Sequence, residues 1–201
     1  MASTAAQTCL TPEEYLAFER KATTKHEYLN GQIVAMSGAS REHNLITVNT
    51  VNQLYTQLID GACETYVSEM RVKNHRTDSY TYPDIVVVCD EPRFEDDVFD
   101  TLLNPIVLIE VLSPSTEAYD RGEKFAHYRQ IAALQEYVLV SQDRIRVEHY
   151  LRQGTQWLLT EFCGLQEVLS LISIRCELRL SDVYRRITFP EESTTLTETG
   201  K

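Results

Sequence analysis

Ile106-Val-Leu-Ile-Glu-Val-Leu112 is apolar at every position but one, and Tyr82-Pro-Asp-Ile-Val-Val-Val-Cys89 upstream has a similar make-up. Both runs are rich in β-branched residues and apolar on both faces, which predicts central strands covered on each side. Glu110 is the exception. An ionised carboxylate in such a strand costs on the order of several kcal/mol unless it is paired or bound to metal. Asp84 opens its own strand directly behind Pro83. If the two strands run antiparallel, the start of one lies beside the end of the other, and Asp84 meets Glu110 at one edge of the sheet. Two convergent carboxylates suit a hard cation such as Mg²⁺ or Mn²⁺, which activates water and offsets charge on a phosphate. A second reading stays open, in which Asp84 caps a turn and Glu110 pairs with a buried cation.

Working outward, Glu117 to Ala133 predicts a helix with Phe125, Tyr128 and Ala132 on its inner face. Asp120, Lys124 and Tyr128 recur at i, i+4 and i+8, so Lys124 can reach back over the sheet edge. The plainer alternative is an Asp–Lys pair on a solvated face. Three short strands follow at 136–140, 145–151 and 156–162, while 165–184 has no clear pattern. Upstream, Thr11-Pro-Glu-Glu-Tyr-Leu-Ala-Phe-Glu19 reads as a capped helix. Asn30-Gly31 between β-favouring flanks signals a tight hairpin. A third helix over 40–59 places Leu45, Val48, Val51, Tyr55 and Leu58 on one face. Cys63 to Met70 reads as a strand that Arg71 to Arg76 continues. His43 starts the helix over 40–59, where helix N-termini favour anions, and Glu27 opens the hairpin. Both are further candidates for the site.

The 201 residues favour one domain, expected over 11–188, after an extension at 1–10 and before a disordered tail at 189–201. Composition is that of a globular protein, and no apolar run approaches the roughly 18–20 residues that span a bilayer. With no secretory signal at the start, the expected place is the cytoplasm and no membrane is involved. Five cysteines without a Cys-x-x-Cys pair signal neither a disulfide framework nor a zinc site, and Cys89 reads as a reduced, apolar thiol. A net charge of −11 argues against coating nucleic acid. Local basic clusters at Arg71, Lys73, His75, Arg76 and at Arg121, Lys124, His127, Arg129 either line a cleft or balance nearby acids.

Several of these segments together resemble the Uma-two family, bacterial proteins of largely unknown function assigned to the PD-(D/E)xK nuclease superfamily. The resemblance rests on Tyr82-Pro-Asp-Ile-Val-Val-Val, Leu108-Ile-Glu-Val-Leu-Ser-Pro-Ser-Thr116, Asp120, Lys124 and Tyr128. Tyr15-Leu-Ala-Phe-Glu19, Glu27-Tyr-Leu-Asn-Gly-Gln-Ile-Val, Met36-Ser-Gly and His43-Asn44 add to it. It implies a restriction-endonuclease-like α/β fold, a central mixed sheet flanked by helices. It further implies that Asp84, Glu110 and the Val111 carbonyl hold Mg²⁺ or Mn²⁺, and that the substrate is nucleic acid. Nucleases of this superfamily often act as homodimers. One departure stands out: the position two after Glu110, where the superfamily carries Lys, is Leu112. Lys124 is then the expected catalytic stand-in. The function expected is a Mg-dependent endonuclease; its rival is an inactive binding or assembly module on the same fold.

Overall fold

The structure, a computed structural model, describes residues 9–189. The predicted tail and most of the predicted N-terminal extension lie outside them, but Leu10 and Phe189 do not. Leu10 packs on the Tyr15–Tyr28–Tyr80 cluster and Phe189 against Tyr184, so the packed body reaches a residue beyond each expected boundary.

The centre is a six-stranded mixed sheet. Its members are β3 (Cys63–Val67), β6 (Ile85–Cys89), β8 (Val107–Leu112), β9 (Glu136–Ser141), β10 (Val147–Gln153) and β11 (Gln156–Phe162). They lie in the order β11-β10-β9-β8-β6-β3, and all neighbours are antiparallel except β8 and β9. The two runs that carry Asp84 and Glu110 are thus adjacent antiparallel strands, and all six residues of β8 are buried.

Alternation sorts this sheet into two cores. Ile85, Val87, Val107, Ile109 and Val111 face α2 (Arg41–Leu58), while Val86, Val88, Leu108 and Leu112 face the opposite side. The α2 core is closed by the segment without a clear pattern, which folds into β12 (Val168–Leu171), β13 (Cys176–Arg179) and α5 (Leu180–Val183). Leu169, Leu171, Ile174 and Leu178 are buried there.

A second sheet lies on the other side. It contains β1 (His26–Leu29), β2 (Gln32–Ala35), β4 (Arg71–Asn74), β5 (Ser79–Thr81) and β7 (Thr101–Leu102), in the order β2-β1-β5-β4-β7. Its opening hairpin turns at Asn30 and Gly31 with φ of 50° and 83°, the positive values that make Asn-Gly a hairpin signal. The first helix, α1 (Pro12–Glu19), forms as its sequence predicts. Thr11 and Glu14 make a reciprocal capping box over a proline in the first turn.

Four expectations need correction. Arg71–Asn74 does not continue β3: a turn at 68–70 carries the chain into the second sheet, where β4 pairs with β5 and β7. The inner face of α2 is Ile46, Thr50, Leu54 and Leu58, whereas Val48 and Tyr55 are exposed. The reason is an amide ladder one position away, in which Asn49, Gln53 and Gln57 bond the backbone of the β13–α5 segment. The helix after β8 ends early. It comprises α3 (Glu117–Tyr119), a π turn (Asp120–Lys124) and α4 (Phe125–Tyr128), and Ala132 is exposed beyond it. Last, Cys63 and Cys89 are joined by a disulfide. They are direct cross-strand partners in β3 and β6, a proximity that spacing along the chain does not reveal.

Candidate metal and phosphate site

The register Ile85↔Ile109 puts Asp84 beside Glu110. Asp84 ends the ladder itself, because its Oδ2 accepts the Val111 N–H at 2.7 Å in place of a backbone carbonyl. The same oxygen lies 3.1 Å from His43 Nε2. His43 is fixed by the start of α2, where Ser40 Oγ accepts the His43 N–H at 3.0 Å.

Glu110 lies on the face of β8 shared with Leu108 and Leu112, beneath the helix that follows. Its Oε1 accepts from the Tyr128 hydroxyl at 2.9 Å and lies 2.9 Å from Lys124 Nζ. Lys124 Nζ is also 3.1 Å from Glu27 Oε1 and 3.6 Å from Asp120 Oδ1. Glu27 is held in turn by the Tyr82 N–H at 3.1 Å and the Tyr119 hydroxyl at 3.3 Å. Every residue singled out in the sequence therefore meets in one cluster: Glu27, His43, Asp84, Glu110 with Val111, and Lys124. Asp120 and Tyr128, noted only for their spacing, belong to it as well.

Tyr119 was not legible. It reaches Glu27 from α3, and the sequence signal nearest to it, the spacing of Asp120, Lys124 and Tyr128, carries no mark of the π turn. Such turns, closed by i→i+5 bonds, recur at functional sites. Here Asp120 and Lys124 are buried at its two ends. Leu112, at the place where the superfamily has Lys, is core, packed among Phe125 and Tyr128 neighbours. The ammonium reaches Glu110 from the helix instead.

Charge is unbalanced here. Burial, the largest influence, pushes the Glu110 carboxyl well above its ordinary value; Lys124 opposes this, and Asp120, Asp84 and Glu27 add to it. Asp120 is raised for the same leading reason. For Lys124, burial alone would lower the pKa, but Glu110, Glu27, Tyr128 and Asp120 outweigh it, so the ammonium stays charged. Glu27, Asp84, Glu110 and Asp120 thus crowd around a single ammonium and one imidazole. No described residue donates a hydrogen bond to Glu110 Oε2 or to Asp84 Oδ1. Among the described residues, no set of three His, Cys, Asp or Glu side chains forms a ready metal cage.

Within the two basic runs His75, Arg76 and Arg129 are exposed, and several of the others are paired with acids. Arg71 is buried against Asp100 and Tyr82, Lys73 meets Glu95, and Arg121 meets Glu117 and Glu148. No helix is long and apolar enough to cross a membrane among the described residues.

Known proteins resemble this chain in sequence or in fold. A protein described as "Uncharacterized protein sll1609" of Synechocystis sp. is 44% identical over 156 residues, covering 77% of this chain and 88% of its own. A second Synechocystis protein, "Uncharacterized protein slr1290", is 38% identical over 181 residues, covering 90% and 94%. The crystal structure of "a putative nuclease belonging to DUF820" from Anabaena variabilis superposes with a TM-score of 0.72 at 20% identity, over 87% of this chain and 97% of that one. That likeness shows the fold, which is restriction-endonuclease-like. The family model of Uma2, described as "Putative restriction endonuclease", matches residues 12–181. With most of its length inside that match, the chain belongs to the Uma2 family.

Proposed function

We propose that the protein is a Mg²⁺- or Mn²⁺-dependent endonuclease that hydrolyses phosphodiester bonds in nucleic acid. The observation that carries this reading is the pairing of Asp84 and Glu110 across β6 and β8 in a cluster where acids outnumber cations. Four acids, Glu27, Asp84, Glu110 and Asp120, gather around the single ammonium of Lys124, and a divalent cation would favour the ionised form of the carboxylates that held it. Mg²⁺ is held through one or two carboxylates plus water and substrate phosphate rather than an all-protein cage. Two carboxylates and the Val111 carbonyl fit that habit.

A divalent cation there supplies an activated water and a counter-charge for the phosphate. The side chains do the rest. His43 and the Val111 N–H fix one oxygen of Asp84, and no described residue donates a hydrogen bond to the other. Tyr128 fixes Glu110 from behind, its hydroxyl lying between Glu110 Oε1 and Thr81 Oγ1 at 2.9 and 3.0 Å. Lys124, kept charged by its carboxylate neighbours, is a fixed cation rather than a base. Its role is to orient the attacking water and to neutralise charge growing on the scissile phosphate. Glu27 and Asp120 hold it in place. Two strands cut at once would call for a homodimer.

Single- and double-stranded DNA and RNA incubated with Mg²⁺ or Mn²⁺ test the reading. Cleavage is expected only with the metal, falling about a hundredfold or more in Lys124→Met, as when one electrostatic group is lost from a transition state. Metal-dependent cleavage that Lys124→Met and Asp84→Ala leave unchanged would refute the assignment. Absence of cleavage on every substrate would refute the activity.

A further inference from the structure

Beside the cluster lies a cleft of about 310 Å³ lined by Leu29, Asn30, Gln32, Val34, Tyr119 and Glu123. Its position follows from strand register. Glu27 faces Val34 and Leu29 faces Gln32 across β1 and β2. Cross-strand partners share a face, and so do residues two apart. The face that sends Glu27 into the cluster therefore continues as Leu29, Gln32 and Val34, while Tyr28 turns the other way into the tyrosine core. Tyr119 joins the two regions from the opposite wall. Its hydroxyl reaches Glu27 Oε2 at 3.3 Å, and Lys124 Nζ lies 5.9 Å from its ring centre.

We propose that this cleft takes an unpaired nucleobase bearing an exocyclic amine, from a nucleotide next to the scissile phosphate; the inference rests on the nuclease reading above. The volume is at the lower end for small-ligand clefts, roughly 300 Å³, which suits one nucleoside-sized group. None of the six lining residues is Lys or Arg, and Glu123, with its side chain 60% exposed, adds negative charge. A phosphate is repelled by such a wall. A carboxylate instead accepts from the amino group of cytosine, adenine or guanine and finds no donor at the corresponding carbonyl of thymine. Glu123 remains available for this, since the His127 imidazole lies 4.0 Å from its carboxylate. The Tyr119 ring offers a stacking plane and Leu29 and Val34 an apolar floor. The Asn30 and Gln32 amides can each donate and accept along a base edge. Leu29 lies two residues, about 7 Å of strand, from Glu27, whose Oε1 is 3.1 Å from Lys124 Nζ, the group assigned to the scissile phosphate.

Fluorescence anisotropy with 5′-labelled dA6, dC6 and dT6 tests the cleft, with Ca²⁺ as the divalent ion. Gln32 and Glu123 are exposed, so Gln32→Ala and Glu123→Ala leave the core intact. The wild type is expected to bind dA6 and dC6 about fivefold more tightly than dT6, the scale of one or two hydrogen bonds. Glu123→Ala should level the three, and Gln32→Ala should weaken them all. Equal wild-type affinities, or variants that keep both the order and the affinities, overturn the cleft while leaving a nuclease that binds and cuts. A wild type that neither binds nor cleaves any oligonucleotide overturns both.

Discussion

Glu110 is the residue on which the rest depends, and the cost of burying it is legible in the sequence alone. A lone acid in an apolar strand demands compensation, and Lys124, Tyr128 and an adjacent Asp84 surround it. The compensation is incomplete, which gives a pH signature. Because burial raises the folded-state pKa of Glu110 above its ordinary 4.5, the folded protein holds that proton more tightly than the unfolded chain. Its contribution to stability is full below pH 4.5 and is lost as pH rises through the raised value. Lys124 is raised as well, but from a much higher starting point, so its contribution persists until pH passes well above 10.5. Urea unfolding in EDTA should therefore show stability falling from mildly acid to neutral pH, and Glu110→Gln should reduce that slope and be the more stable protein at neutral pH. A wild type whose stability climbs over that window, or a variant with an unchanged slope, would contradict this placement of the proton. What residue types could not reveal was Tyr119, since its partner Glu27 is 92 residues away.

Secondary-structure elements were legible where local chemistry decides them. The Thr11 capping box, the Asn30-Gly31 turn and the apolar runs of β6 and β8 each carry their own signal. Elements decided by packing were not. The π turn has no residue pattern, and α2 presents polar amides where a simple apolar stripe was expected. That ladder has a structural purpose. β13 pairs with β12 on one side only, and on the other the side chains of α2 replace a strand. Gln57 accepts the Glu177 N–H at 2.9 Å and donates to its carbonyl at 2.8 Å, and Gln53 Oε1 accepts from Arg179 N at 2.8 Å. Gln57→Ala should cost about 1–2 kcal/mol, the worth of two hydrogen bonds. Hydrogen exchange should show faster loss of protection at the Glu177 amide than at Val138 in β9. An unchanged Glu177 rate would mean the amide clamp is dispensable.

At the scale of the whole molecule, the central sheet was legible as a set of strands, but not its partner sheet or its cross-link. The second sheet gathers strands from 26 to 102 in an order that no local pattern encodes. The Cys63–Cys89 bond likewise depends on a register fixed 26 residues apart. A cross-link closing a loop of that size typically stabilises by about 3 kcal/mol, and it secures β3, the edge strand, to the strand that carries Asp84. What both sheets and the helix from 117 to 128 accomplish together is convergence. Glu27 comes from one sheet, Asp84 and Glu110 from the other, His43 from α2 and Lys124 from the π turn. In the function proposed above, this convergence holds a divalent metal at Asp84 and Glu110. Anomalous diffraction from crystals soaked in Mn²⁺ measures that directly. A peak is expected about 2.1 Å from carboxylate oxygens of both residues and is expected to be absent in Asp84→Ala; a map with no peak there, or with Mn²⁺ bound only elsewhere, would rule the metal site out.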